Sequence, residues 1–254
     1  MKSKLRRFLS AQADRATHIA AKLAVRPLFA AVRRFDRIRA SDAVGALMRR
    51  LGPWLPEHKT GRANLAAAFP EKSPAEIEAI LAGVWDNLGR VAIEFAHLDR
   101  FTTGDPLNLP YVAYDADNIA RYRQLRDGGR PALLFTAHLA NWEVPAVIAA
   151  AFGLDAMSVY RRPNIGAVAD AVISARSVTM GTLVPTRFDT PIRLARGLEQ
   201  GRHVAMLVDQ HDTKGVEVTF FGRKCRANPL IAMLARQIEC PIHGVHMIRL
   251  PEGK

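Results

Sequence analysis

The chain has 254 residues, of which 49% are hydrophobic and 24% are charged, and its formal net charge is +12. This composition excludes a wholly disordered chain and suffices for the core of one α/β domain with a smaller appendage. Residues 1–50 contain thirteen Lys and Arg but only three Asp and Glu, so this segment carries +10 of the net charge. The asymmetry predicts an anionic partner for the segment: lipid headgroups, an acidic protein or nucleic acid.

Apolar residues recur at helical spacing between Leu5 and Leu28, and basic residues fill much of the remainder. The pattern predicts a basic amphipathic helix, which either lies in a membrane interface or packs on the domain with its charged face in water. Charges interrupt every apolar stretch, so neither a secretory signal nor a membrane-spanning helix is expected. We therefore divide the chain into a membrane-associating helical segment, 1–50, and a globular domain, 51–254.

A second helical region covers residues 71–99, and its start is marked by Ser73-Pro74-Ala75-Glu76, an N-cap serine followed by proline and an N3 glutamate. After residue 100, short apolar runs alternate with helical stretches. The runs that predict strands are 132–135, 156–160, 182–184, 204–208 and 218–221. Helices are predicted from Asn141 to Val147, from Thr190 to Gly201 and from Asn228 to Ile238. The alternation predicts an α/β fold with a mostly parallel central sheet flanked by helices, preceded by the helical basic region.

Cys225 and Cys240 have no His or Cys at metal-ligand spacing beside them. Two thiols in a chain of this size are more often free, and a disulfide between them stays an alternative.

The stretch 131–143 (PALLFTAHLANWE) carries the strongest indication of chemistry. A buried strand ends, His138 follows it, and Glu143 lies in the first turn of the next helix, at the sheet edge where α/β proteins bind ligands. A carboxylate on one imidazole nitrogen lets the other remove a proton from a hydroxyl. We therefore predict that His138 is a general base oriented by Glu143. The alternative is a structural histidine beside a glutamate that only favours the helix N-terminus.

The spacing of His138 and Glu143 matches the His-x4-Asp/Glu motif of glycerolipid-type acyltransferases, and the chain more narrowly resembles the late acyltransferases of lipid A biosynthesis. The segments that carry the resemblance, from about residue 50 to the end, are 62–71 (RANLAAAFPE), 85–90 (WDNLGR), 137–143 (AHLANWE), 159–164 (VYRRPN), 208–212 (VDQHD) and 220–223 (FFGR). The family continues past the point where this chain stops, so we expect a truncated C-terminal end. It also often has a more hydrophobic N-terminus, so peripheral attachment is expected here rather than a spanning anchor.

The resemblance implies transfer of a fatty acyl chain from acyl carrier protein to a hydroxyl of a lipid A precursor, at the cytoplasmic face of the bacterial inner membrane, with no cofactor. His138 and Glu143 would be catalytic, while Arg161, Arg162 and Asn164 would bind the oxyanion or lipid phosphate. We expect the site to be shaped by Asn141, Asp209, Gln210 and Asp212. A divalent metal at Asp209 and Asp212 is weakly indicated, since two carboxylates lack a third ligand.

Three alternatives remain open at this point. The same chemistry could serve another lipid acceptor, such as a lysophospholipid, a glycolipid or an amino-lipid. A histidine-based hydrolase would release free fatty acid instead. A non-catalytic protein could bind anionic polymers through the basic segment. Nucleic acid is not the expected partner, because the segment lacks interleaved aromatic residues and no nucleic-acid-binding fold signature is present.

Overall fold

A computed structural model of the chain describes residues 27–105, 109–162 and 166–251. The helix predicted from Leu5 lies outside these ranges except for its last two residues, and Asn164 lies outside them as well. Residues 27–32 are helical. The subsequent helices are α1 (Arg37–Leu51), α2 (Pro56–Ala68), α3 (Pro74–Phe95), α4 (Ala116–Asp127), α5 (Val144–Ala151), α6 (Gly166–Thr179), α7 (Thr190–Glu199) and α8 (Leu230–Gln237), with short 3-10 helices at Gly52–Trp54 and Leu98–Thr102. α1 runs across residue 50, the boundary proposed between the two parts of the chain. The division into 1–50 and 51–254 stays a prediction.

A five-stranded sheet forms the centre of the fold. Its strands are β1 (Leu133–Thr136), β2 (Ala156–Tyr160), β3 (Thr182–Pro185), β4 (His203–Leu207) and β7 (Ile242–Gly244). They are ordered β3-β2-β4-β1-β7, and every neighbouring pair is parallel. Helices flank the sheet, and 53% of the structure is helical, so the predicted α/β fold class is confirmed.

The core explains why apolar runs rather than alternating patterns encode these strands. Strands of a sheet covered on both faces bury most of their side chains, and Leu133, Val204 and Leu194 of α7 are each 0% exposed. One buried cluster joins β1, β2 and β4 to α7 and α8. The sheet therefore holds the carboxyl ends of β1 and β4 at fixed positions.

The N-terminal helices pack as a pair against this domain. Ser73 caps α3 through the predicted capping box with Glu76. Gly89 of α3 faces the backbone of α1 so closely that an added Cβ would lie 2.7 Å from the Val44 carbonyl oxygen. This close approach fixes α3 against α1, and α3 in turn contributes side chains to the site described below.

The segment predicted as a strand at 218–221 belongs to an antiparallel hairpin instead of the parallel sheet. The hairpin consists of β5 (His211–Phe220) and β6 (Arg223–Ala227) and begins directly after the carboxyl end of β4. Both cysteines are free. Over the described ranges, helices of the length and hydropathy needed to cross a bilayer do not occur.

Candidate active site

The structure joins His138 to Asp209 at the carboxyl edge of the sheet. Thr136 of β1 pairs in register with Leu207 of β4, and each of the two site residues stands two positions beyond that pair. His138 Nδ1 lies 2.7 Å from Asp209 Oδ1, and the His138 backbone N–H donates to Asp209 Oδ2 over 2.8 Å. Two contacts to one carboxylate fix both the imidazole and the backbone that carries it.

The remaining imidazole nitrogen is free to act on a substrate. Since Nδ1 faces a carboxylate, it holds the proton, and Nε2 presents its lone pair. The Gln210 side-chain nitrogen lies 3.5 Å from Nε2, a long distance for a hydrogen bond. The His138 side chain is 31% exposed, so a hydroxyl can reach it. A histidine held by a carboxylate in this way can act chemically as a general base.

Glu143 occupies a different position from the one that the sequence suggested. Its carboxylate is buried, with the residue 5% exposed. It forms a two-bond ion pair with Arg176 of α6, in which Arg176 Nε donates to Oε2 over 2.8 Å and a terminal nitrogen donates to Oε1. The Trp142 indole N–H also donates to Oε1, over 3.0 Å. The carboxylate that contacts His138 is therefore that of Asp209, while Glu143 points into the interior.

The cause is the shape of the turn between β1 and α5, which we call the catalytic turn (residues 137–143). Ala140 adopts a φ of 45°, a conformation that residues with a side chain rarely occupy. The Asn87 side chain holds this residue by donating to the Ala140 carbonyl over 2.9 Å. The reversal turns the end of the catalytic turn inward, so Glu143 is directed towards α6 rather than back towards His138.

Glu94 of α3 also anchors this turn and is only 2% exposed. Its carboxylate accepts from Asn141 Nδ2 over 2.9 Å, and Asn141 Oδ1 accepts from the Glu143 backbone N–H over 3.1 Å. Arg249, near the end of the described chain, donates to Glu94 over 2.5 Å and also to the Asn87 oxygen. The expectation that Asn141 shapes the site thus has a geometric basis, and the network attaches the C-terminal segment to the catalytic turn.

A buried arginine completes the electrostatics around Glu94. Arg37 is 3% exposed, lies 3.9 Å from the Glu94 carboxylate and faces the rings of Phe101 and Tyr111. Burial lowers the pKa of the Arg37 guanidinium, and the negative charge of Glu94 opposes that shift. The carboxylate is thus compensated from two sides.

The predicted anion-binding residues follow β2 at the same sheet edge. Arg161 and Arg162 are both exposed, and Arg162 forms an ion pair of 2.7 Å with Asp170. Asn164 is outside the described residues. The structure therefore brings both arginines to the edge that carries His138 without bonding either of them to it.

Asp212 lies on the hairpin, where its carboxylate accepts from the Lys214 backbone N–H over 3.0 Å. Asp209 is already bound to His138. Within the described residues, no group of three or more His, Cys, Asp or Glu side chains could hold a metal ion.

A cleft of about 440 Å³ adjoins the catalytic turn. Its walls come from α3, the catalytic turn and the C-terminal segment, and they include Asn87, Leu139, Ala140, Ile248 and Arg249. Most of this lining is apolar. The lining also contains Asp86 and His246, and Leu139 is the lining residue that follows His138 in the chain.

Comparison with protein families identifies the family of the chain that carries this site. Residues 14–254 match the family of bacterial lipid A biosynthesis acyltransferases. The chain belongs to this family. The resemblance derived from the sequence motifs is thereby confirmed, and the protein is an acyltransferase of lipid A biosynthesis in general terms. A search of curated proteins returned no match.

Several residues of this acyltransferase site had no assigned role in the sequence reasoning. Arg176 and Arg249 lie 33 and 155 residues from their partners Glu143 and Glu94, so no local pattern connects them. Trp142 was part of the recognised motif, and its ring lies 5.1 Å from that of His138. Asp209 was expected only to shape the site, and its position directly after an apolar strand, as for His138, is the sequence signal that places the two residues at the same edge.

Proposed function

We propose that this acyltransferase moves a fatty acyl chain from the thioester of acyl carrier protein to a hydroxyl of a lipid A precursor, with His138 as general base. The observation that carries the proposal is the pairing of His138 Nδ1 with Asp209 at the sheet edge, in a chain of this family. The pair activates a hydroxyl, and the family supplies the class of product.

The reaction proceeds by direct attack. His138 Nε2 takes the proton of the acceptor hydroxyl while the oxygen attacks the thioester carbonyl carbon. The C–S bond then breaks, the protonated imidazole gives the proton to the departing sulfur, and the products are an ester and a free thiol. Asp209 holds the required tautomer and stabilises the imidazolium that forms between these steps.

Negative charge on the carbonyl oxygen requires donors. Arg161 and Arg162 supply guanidinium groups at the same sheet edge, and a guanidinium also suits the phosphate of a lipid. Arg162 is engaged with Asp170, so we assign the anion-binding role first to Arg161.

Glu143 acts on His138 indirectly in this proposal. Its carboxylate receives the Trp142 indole N–H, and the Trp142 ring packs against the imidazole at 5.1 Å. Arg176 fixes the carboxylate from the other side. Glu143 is therefore a positioning residue that keeps Trp142, and through it His138, in place.

The proposed location at a membrane rests on the positive charge of residues 1–50 and on an apolar cleft. Acyl carrier protein and the inner leaflet are both acidic, and the +10 of residues 1–50 favours association with either. The apolar cleft beside Leu139 accommodates part of an acyl chain. We place the protein at the cytoplasmic face of the inner membrane as a peripheral enzyme.

The test is transfer of a labelled acyl chain from acyl carrier protein to a purified lipid A precursor, run in parallel with a lysophospholipid and with no acceptor. The proposal predicts labelled lipid A precursor with wild type and none with folded His138→Ala. Labelled lysophospholipid instead would establish another acceptor. Free fatty acid without an acylated lipid would establish a hydrolase.

A further inference from the structure

The β5–β6 hairpin ends in a cluster of exposed aromatic rings. Phe220 is 67% exposed and Phe221 is 51% exposed. Their ring centroids lie 4.7 Å apart, and Phe69, at the C-terminal end of α2, lies 5.1 Å from Phe221. We call Phe220 and Phe221 the aromatic tip. Large apolar side chains left in water on a hairpin turn indicate a surface that meets an apolar partner.

The turn presents the aromatic tip rigidly. Phe221 and Gly222 have φ values of 48° and 68°, the backbone of a tight two-residue hairpin turn. Phenylalanine is unfavourable with positive φ, so the hairpin accepts strain at the residue whose ring it exposes. The contact with Phe69 then ties the end of the hairpin to the α2–α3 connection.

Basic side chains surround the aromatic tip. Arg223 and Lys224 follow it directly on β6 and are exposed, and the Lys72 ammonium lies 6.0 Å from the Phe69 ring centroid. Over the whole hairpin, four Lys and Arg outnumber two Asp and Glu, and Glu217 is already paired with Lys224 at 2.9 Å. Aromatic rings flanked by long basic side chains suit the headgroup region of an anionic bilayer.

The small area of this surface favours a bilayer over a protein as its partner. A stable protein interface needs about 800 Å² from each partner, which the end of a two-stranded hairpin does not offer. Shallow insertion into a bilayer needs only a few apolar side chains and nearby positive charge. The occupant that matches both the small apolar surface and the neighbouring positive charge is therefore an anionic lipid surface.

The hairpin also starts at the active site. β5 begins at His211, two residues after Asp209, so the hairpin rises from the edge that carries His138. We propose that the aromatic tip inserts into the headgroup region of an anionic bilayer and brings His138 to a lipid acceptor held there. The proposal rests on the proposed function for its acceptor and on the hairpin itself for its insertion.

The experiment uses the full chain and residue-specific tryptophan fluorescence on vesicles of brominated phosphatidylglycerol or brominated phosphatidylcholine. Trp54, which is 84% exposed, is first changed to Phe, and the signal of the remaining Trp85 and Trp142, measured in this variant without a reporter, is subtracted from both reporter variants. Phe220→Trp then reports the aromatic tip. Val178→Trp is the control, because Val178 is 83% exposed at the end of α6, next to the start of β3 and hence at the opposite sheet edge.

We expect brominated phosphatidylglycerol to quench Phe220→Trp and leave Val178→Trp unchanged, with much weaker quenching on phosphatidylcholine. Replacing both tip rings by Phe220→Ser and Phe221→Ser should weaken vesicle binding about tenfold or more, from the loss of buried aromatic area. The reporter remains specific even though residues 1–26, with seven Lys and Arg, also attract anionic vesicles.

Co-sedimentation with vesicles without quenching of Phe220→Trp would overturn the proposal, and so would equal quenching of both reporters. A blue shift of Phe220→Trp that depends on protein concentration without vesicles would overturn it in favour of self-association. If the tip is quenched but no acyl transfer occurs, the insertion stands and the proposed function fails. If acyl transfer occurs without quenching of the tip, the proposed function stands and the insertion fails.

Discussion

Removing Arg176 should destabilise the protein strongly, because it would leave Glu143 as a buried and uncompensated charge. The side chains of Arg176 and Glu143 are 19% and 6% exposed, and two N–H groups of the guanidinium meet the two carboxylate oxygens. Breaking a buried ion pair by removing one partner costs about 3–5 kcal/mol. Arg176→Met retains much of the aliphatic stem, so we expect a loss of unfolding free energy in that range.

The measurement is urea unfolding followed by circular dichroism, and the matched control is Arg126→Met. Arg126 makes the same two-bond contact with Asp127, but in a pair whose side chains are 38% and 59% exposed. Exposed pairs contribute about 0–1 kcal/mol, so the control should lose little. Adding Glu143→Gln to Arg176→Met should recover part of the loss, since it removes the stranded charge. Equal effects of Arg176→Met and Arg126→Met would refute the reasoning, and Arg176→Lys serves if the methionine variant does not fold.

Gly89→Ala should destabilise the protein by about 1–3 kcal/mol, because the added Cβ would press on the Val44 carbonyl. Gly83→Ala on the same helix should stabilise it by about 0.5–1 kcal/mol, since an added Cβ there meets nothing within 4 Å. Thermal unfolding of the two variants measures both effects, and a change of the same sign in both would contradict the packing described. Burial lowers the pKa of His203, so protonation favours the unfolded state and stability should fall as the pH drops below about 6.5. Urea unfolding at about pH 7.5 and pH 5.5 should show a shallower decline in His203→Gln than in wild type, and identical slopes would argue against a buried neutral imidazole. Burial raises the pKa of the Cys240 thiol, so iodoacetamide at neutral pH should alkylate it more slowly in the folded than in the unfolded chain, as mass spectrometry would show.

Local sequence signals predicted part of the fold, whereas α2, α4, α6, β6 and β7 had no predicted counterpart and the helix expected from Asn141 begins at Val144. The strand expected at 156–160 is β2 as observed, and Ser73 caps α3 as its capping box predicts. These signals succeed because caps and buried apolar runs are properties of neighbouring residues. Of the hairpin, the sequence predicted only the strand at 218–221. Most of its side chains are polar and exposed, and its two strands pair with each other outside the parallel sheet.

The site was predictable only in part, because its decisive contacts are not local. His138 meets Asp209 because β1 and β4 are neighbours in the sheet, a strand order that the sequence does not display. Glu143 lay close enough in sequence to suggest the partnership, but the positive φ of Ala140 turns it towards Arg176. The predicted catalytic role of Glu143 stays a prediction, now one in which it acts through Trp142.

The measurement that tests the account most directly is kcat for acyl transfer to the lipid A precursor by Asp209→Asn, with Asp155→Asn, directly before β2 and hence at the opposite edge of the sheet, as the control. Asparagine cannot hold the imidazole in the required tautomer or stabilise its charged form, so Asp209→Asn should lower kcat by about 100-fold or more while the protein stays folded. The Asp155 side chain is 68% exposed and its carboxylate pairs with Arg202 at 2.7 Å, so Asp155→Asn should retain near wild-type kcat. Wild-type kcat in folded Asp209→Asn would contradict the assignment of Asp209 as the residue that orients His138.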